Sequence, residues 1–262
     1  MNSQSIEVAL DGPASEQTQI RRRTEYPRLG VEALEYHLFK PRVSHHPLLL
    51  SAYELWRNGW QATLGELEGV RRIYSDEFGR QDEIGVLSVG QRCISVLGLR
   101  WFDRSLAMDR EDSYFLPWPE ATLDSLGDSI VGVPSNLVVH PEWRRTIVEP
   151  ASDRPEDAIL LSLATLALAI RRFIDSPAER FVGMARNDRS MNRVAAAIGG
   201  TKIGRITMHG IESDLICITR ANAAPQGPVV DTLWERRFQE EGAMTWGAKK
   251  HPVAGSRSAA MV

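Results

Sequence analysis

Asp76 and Glu77 stand next to each other, and Arg100 follows after a strand-like stretch. Two carboxylates can hold an ammonium and a guanidinium can hold a carboxylate, so these three could recognise a small molecule bearing both groups. A second set lies further on, where Ser135, Asn136 and His140 flank the apolar run Leu137, Val138, Val139, and Arg144, Arg145 and Thr146 come just after. His140 could serve as a base. Each set also has a plainer reading: a solvated turn, a strand-end arginine, a histidine capping beside Pro141, two arginines on a surface loop. Metal chemistry is not expected, because His45 and His46 have no carboxylate or further histidine at ligand spacing. Cys93 and Cys217 sit far apart in apolar runs and read as two buried thiols, which fits a reducing cytoplasm.

The elements that must position these residues follow from periodicity and punctuation. Residues 31–40 alternate and stop before Pro41, a first strand. Pro47 opens a stretch in which Leu49, Ala52, Tyr53, Trp56 and Trp60 recur at helical spacing, with a short second helix expected over 67–74. Residues 83–88 and 92–102 read as an antiparallel hairpin about Gly90. From 103 to 128 charges and prolines break the pattern, an insertion or long site loop. Residues 129–139 return to strand. A strong helix then covers 158–173, with Ser152 or Asp153 as cap and Pro155 in its first turn. Strand 180–185, helix 189–198 stopped by Gly199 and Gly200, and strands 203–208 and 214–220 complete the order. Of the tryptophans, Trp56 and Trp60 read as core, while Trp101 and Trp118, flanking the insertion, are the better pocket candidates.

A chain of 262 residues that is 43% hydrophobic can bury one large core. We expect one domain over 31–222, a loosely packed lead-in over 1–30, and an extension over 223–262 made of a short helix and a mobile tail. The formal charge of −3 gives no sign of a broad basic surface, so nucleic acid is not an expected partner. The longest apolar run, 158–170, is too short to span a bilayer, and the first residues offer no signal-peptide core. A cytoplasmic location is expected.

The string Leu137-Val138-Val139-His140-Pro141-Glu142-Trp143-Arg144-Arg145 resembles the fourth strand and donor-binding turn of the GNAT superfamily of acyltransferases. Ala185-Arg186-Asn187-Asp188 through Gly200 is similar to the strand, asparagine, helix and glycine that close its donor side. Asp76-Glu77-Phe78 with Leu99-Arg100 resembles the acidic cluster and hairpin arginine of the N-acyl amino acid synthase and acyl-homoserine-lactone synthase branch. The resemblance covers about 31–220.

It implies an α+β fold with a mixed central sheet flanked by helices. It also implies an N-acyltransferase that carries an acyl group from a thioester to a small amine, an amino acid among the candidates. No tightly bound cofactor is implied; acyl-CoA, or the phosphopantetheine of an acyl carrier protein as partner, would be co-substrate. The backbone of Leu137, Val138 and Val139 would pair with the pantetheine arm, Arg144, Arg145 and Thr146 would meet a phosphate, and Asn187 would lie on the donor side. Asn136, His140, Asp76 and Arg100 would be the catalytic and acceptor groups.

Three features depart from the family pattern. Ile147-Val148-Glu149-Pro150-Ala151 has no glycine where members carry a glycine-rich turn. The tyrosine of the helix before the last strands is replaced by Ala195 or Ala196. Val133 and Asn136 stand where autoinducer synthases carry glutamate and arginine. The first departure favours a carrier-protein donor, whose single phosphate needs a looser surface. Together they support the alternative of a GNAT-like protein that binds a ligand or partner without catalysis.

Overall fold

The structure is a computed structural model. It describes residues 26–69, 77–152, 154–208, 210–224 and 226–239. Four strands joined by short connections or helices build one half of the main sheet: β2 (Glu35–Phe39), β3 (Glu83–Val89), β4 (Arg92–Asp103) and β5 (Ile130–Val139). Each is antiparallel to the next. The other half contains β8 (Arg180–Arg186), β9 (Thr201–Met208) and β10 (Ile211–Thr219). With β11 (Phe238–Gln239) at its edge, the sheet runs β11-β2-β3-β4-β5-β8-β10-β9. The two halves meet where β5 and β8 run parallel, which the crossover helix α5 (Leu161–Ile174) makes necessary.

Alternate residues of the strands face opposite layers. Ile84, Val86 and Val96 pack against α1 (Pro47–Glu68) through Leu48, Ala52, Leu55 and Trp56. Leu87 and Ile94 point the other way, to Leu161, Ala167 and Leu168 of α5 and to Val230, Leu233 and Trp234 of α7 (Gly227–Glu235). The fold is α+β, a mixed, largely antiparallel sheet between helices.

Several local expectations change. Val31–Ala33 forms a 3-10 turn, so the first main-sheet strand starts at Glu35. α1 continues to Glu68 and stops where Gly69 turns left-handed, and most of the helix expected over 67–74 lies outside the described residues. The insertion carries two short helices, α3 (Ala107–Arg110) and α4 (Glu120–Leu126). Phe115, Trp118 and Leu126 bury there against Phe102 and Val131. The crossover helix begins at Leu161, later than expected. A 3-10 turn takes Pro155–Asp157, and β7 (Ile159–Leu160) pairs with β6 (Ile147–Glu149), which pairs in turn with β1 (Arg28–Gly30). That small sheet holds the backbone extended up to Leu160, so no capping side chain is available, and the Thr146 carbonyl accepts the Leu161 N–H at 2.9 Å. Among the described residues no helix is long and apolar enough to cross a membrane.

Candidate functional site

The site is made by the parting of two strands. β5 and β8 pair at Val131↔Arg180 and Gly132↔Phe181, and their register goes no further. On its other edge β5 stays bonded to β4, but with an irregularity: Ser135 faces Gly98 and Val138 faces Val96, so Asn136 and Leu137 together oppose Leu97. Asn136 takes the extra residue in left-handed backbone, φ 60°. A bulge of this kind bends its strand and re-aims its groups, and β5 swings away from β8. The opening is a cleft of about 760 Å³.

Backbone and side chains of Pro134 to Val139 form one wall and those of Phe181 to Arg186 the other. Leu97, Leu166, Ile198, Ile216 and Ile218 make an apolar interior. Of the residues singled out in the sequence, Glu77, Arg100, Ser135, Asn136, Leu137, Val138, Val139, Arg144 and Arg145 line this cleft. Val138 is held from behind. The Ser95 hydroxyl lies 3.3 Å from its carbonyl and 2.8 Å from the hydroxyl of Thr165, which donates to the Leu161 carbonyl.

At the other end, Arg100 lies under the inserted segment. Asp112 accepts from it twice, at 3.2 and 2.7 Å, and also accepts the Tyr114 N–H at 2.9 Å. The guanidinium stacks over Phe102 at 4.5 Å. Tyr114 lines the cleft beside it, its hydroxyl pKa raised first by burial, with the Arg100 charge and the Met184 backbone N–H opposing. Gln81 and Ser135 meet on the cleft floor, the Ser135 hydroxyl donating to Gln81 Oε1 at 2.6 Å. Gln81 also donates to the Glu77 carbonyl at 2.9 Å, and Glu77 lines the cleft above it.

Other expected site residues sit elsewhere. Asp76 lies outside the described residues. His140 lines a smaller neighbouring cavity of about 420 Å³ between α1 and the end of β5. Its Nδ1 accepts the Glu142 N–H at 3.3 Å and its Nε2 lies 3.1 Å from Arg92, so it caps a 3-10 turn and does not face the cleft. Thr146 is buried at the foot of the loop, where its carbonyl, not its hydroxyl, reaches the helix start. Asn187 turns to Asp214, with Nδ2 3.5 Å from Oδ1. That carboxyl is held down to about 2, first by Lys202 at 2.6 Å, with Arg205 and Asn187 adding to it. Trp101 and Trp118, expected at the pocket, are fully packed in the core, and Trp60, read as core, lines the cleft. Tyr114, Asp112 and Gln81 were not singled out in the sequence and carried no periodic signal. Asp112 and Tyr114 stand out only as the polar members of an aromatic-rich string within the insertion. Among the described residues no group of His, Cys, Asp and Glu could hold a metal ion.

No family model matches the chain, and no curated protein matches it. Solved structures with similar folds include FeeM, an N-acyl amino acid synthase from uncultured soil microbes. It aligns at 10% identity and TM-score 0.45 over 78% of this chain and 94% of its own. BjaI, a CoA-dependent acyl-homoserine lactone synthase, aligns at 13% and 0.48, over 79% and 93%. NAA60 of Arabidopsis thaliana, in complex with acetyl-CoA, aligns at 10% and 0.42, over 72% and 99%. In the topology two antiparallel halves join at one short parallel contact, the strand before the crossover helix carries a bulge, and a cleft opens where the strands part. The chain has the α+β arrangement, a mixed central sheet flanked by helices, that the sequence resemblance implies.

Proposed function

We propose that the protein is an N-acyltransferase that moves an acyl group from a thioester donor to a small amine, with an amino acid as the acceptor class. The observation that carries this reading is the edge of β5 beyond Gly132, which has no strand beside it on the cleft side among the described residues. Backbone polar groups in such a place call for a partner. A pantetheine arm, with two amides along an extended chain, can lie there as an added strand does. The apolar interior formed by Leu97, Leu166, Phe181 and Ile216 suits an acyl chain, and Arg144 and Arg145 at the rim suit a phosphate.

The donor side favours a carrier protein over free coenzyme A. A pyrophosphate needs bare N–H groups at the helix start, and here the first of them is taken by the Thr146 carbonyl, while the preceding loop is drawn out into β6 and β7. A single phosphate meeting exposed arginines demands less.

Thermal melting with acetyl-CoA, a long-chain acyl-CoA and an acyl-loaded carrier protein, followed by amide formation from amino acids, tests the proposal. At a donor concentration about 100 times Kd, binding adds about 2.7 kcal/mol, a rise of roughly 5–10 °C in Tm. Stabilisation without turnover would leave a ligand-binding protein. No stabilisation by any thioester removes the donor site.

A further inference from the structure

Gln81, on the floor of the cleft, is a buried polar residue, 1% exposed. Its side chain fills the space left by Gly98, where a Cβ would lie 2.6 Å from Gln81 Oε1. The amide bridges two groups. Nε2 donates to the Glu77 carbonyl at 2.9 Å, and Oε1 accepts from the Ser135 hydroxyl at 2.6 Å. A backbone carbonyl only accepts, so the amide nitrogen has to face Glu77 and the amide oxygen has to face Ser135. That oxygen only accepts as well, and the Ser135 proton is therefore committed to Gln81.

The serine oxygen is left with lone pairs and no proton to offer. Ser135 is half-buried, lines the cleft, and stands next to Asn136, the bulge residue at which β5 bends away from β8. At this point the cleft wall presents a fixed hydrogen-bond acceptor. A thioester carbonyl brings only oxygen lone pairs and gains nothing there. An amine brings N–H groups.

We propose that Ser135 Oγ accepts an N–H of the attacking amine and so aims the nitrogen lone pair at the thioester carbonyl carbon, with Gln81 as the positioning residue that keeps the serine in its accepting state. This rests on the acyltransferase reading above. The amine nitrogen forms its bond to the carbonyl carbon, the carbon–sulfur bond breaks, and the proton that the nitrogen gives up ends on the sulfur through solvent. Thioester and amine become amide and thiol with no other reactant. Ser135 keeps its own proton on Gln81 throughout, so it is neither acid, base nor nucleophile, and what it contributes is alignment.

The test uses the dodecanoyl thioester of N-acetylcysteamine as donor and, as acceptor, whichever of the common amino acids the parent acylates fastest. Ser135→Thr and Ser135→Val have one shape between them and differ by the hydroxyl. Ser135→Thr should keep kcat/KM for the amine within about 3-fold of the parent, and Ser135→Val should lower it by about 10-fold, the size of one lost hydrogen bond. KM for the donor should change by less than about 2-fold in both, because the contact is made by the amine alone. Gln81→Leu should give a similar fall, since the freed hydroxyl can turn its proton into the cleft. Adding it to Ser135→Val should cost nothing further, because Gln81 acts through Ser135. If Gln81→Leu does not fold, the comparison of Ser135→Thr with Ser135→Val decides. Equal turnover by those two, a donor KM that rises as far as the amine's, or losses that multiply in the double variant overturn the proposal. A parent protein that makes no amide with any amino acid overturns the acyltransferase reading, and this role with it, and that outcome is told apart because it precedes any substitution.

Discussion

The junction of β5 and β8 differs between its two ends. At the closed end, Val131 and Gly132 pair with Arg180 and Phe181, and a Cβ on Gly132 would lie 2.5 Å from the ring of Trp101. Buried Arg172 donates twice to buried Glu83, both at 2.8 Å, and lies over Trp101 at 5.4 Å. At the open end the same strands face a cleft, and the left-handed Asn136 bends one wall away from the other. The closed end is specified by side-chain volume and charge, the open end by backbone. One should fail by unfolding and the other by losing its ligand.

The largest effect is expected at the closed end. Glu83→Leu leaves the Arg172 charge buried without its partner, and breaking a buried pair from one side costs about 3–5 kcal/mol. Urea unfolding should show that loss, and adding Arg172→Met should recover most of it, since two apolar groups leave nothing unpaired. A single variant as stable as the parent would mean that the closed end is not what clamps the halves together.

Two glycines sharpen the contrast at smaller cost. Gly132→Ala pushes a methyl into the ring of Trp101, which is fully buried away from the cleft and has no room to move, and should cost about 1–3 kcal/mol. Gly59→Ala meets a similar clash on paper, with its Cβ 2.6 Å from Val138 Cγ1. Val138 borders the cleft and can yield into it, and alanine is the better helix former by about 1 kcal/mol. Stability should be nearly unchanged while the apparent KM for the thioester rises several-fold. Similar losses of stability in the two variants would erase the distinction between the ends.

The same contrast explains what could be read from the residues. The hairpin of β3 and β4, the strand β5 and the group β8 to β10 follow from apolar alternation and glycine punctuation, and the structure places them within a few residues of expectation. The strand end at Leu137 to Val139 was legible from its apolar run ahead of Pro141, and its place on the cleft was implied only by the family resemblance. The insertion was not. Phe102, Tyr114, Phe115 and Trp118 cohere as a tertiary aromatic cluster with no helical or strand period, so its order, and with it Tyr114, had no one-dimensional signature. Trp60 and Trp101 were exchanged for a related reason. Spacing says which residues share a helix face, but not where along that face the core stops and a cleft begins. The late start of α5 was hidden because pairing of Ile159–Leu160 with β6 outweighed the capping signals of Ser152 and Pro155.

The smallest effect on the fold, and the most direct on the open end, is expected from its rim. Arg144 and Arg145 are exposed, line the mouth of the cleft and follow the slot strand within a few residues. Replacing both by alanine should leave Tm within about 2 °C, as surface changes of up to about 0.5 kcal/mol do. If they meet a carrier protein's phosphate and acidic surface, kcat/KM for the carrier-bound donor should fall at low ionic strength. Its decline with added salt should also become shallower than in the parent, because charge pairing across a wet surface is what salt screens. Arg145 adds a control of its own, since its φ of 68° is a conformation that glycine adopts without strain. Arg145→Gly removes the charge while relaxing the backbone, so it should match Arg145→Ala in donor use and exceed it in stability. Donor use that follows backbone strain instead of charge would make the loop's shape, and not its guanidinium groups, the feature that meets the donor. A double alanine variant with the parent's turnover and salt response would reduce both arginines to ordinary surface charges and move the phosphate contact away from this rim.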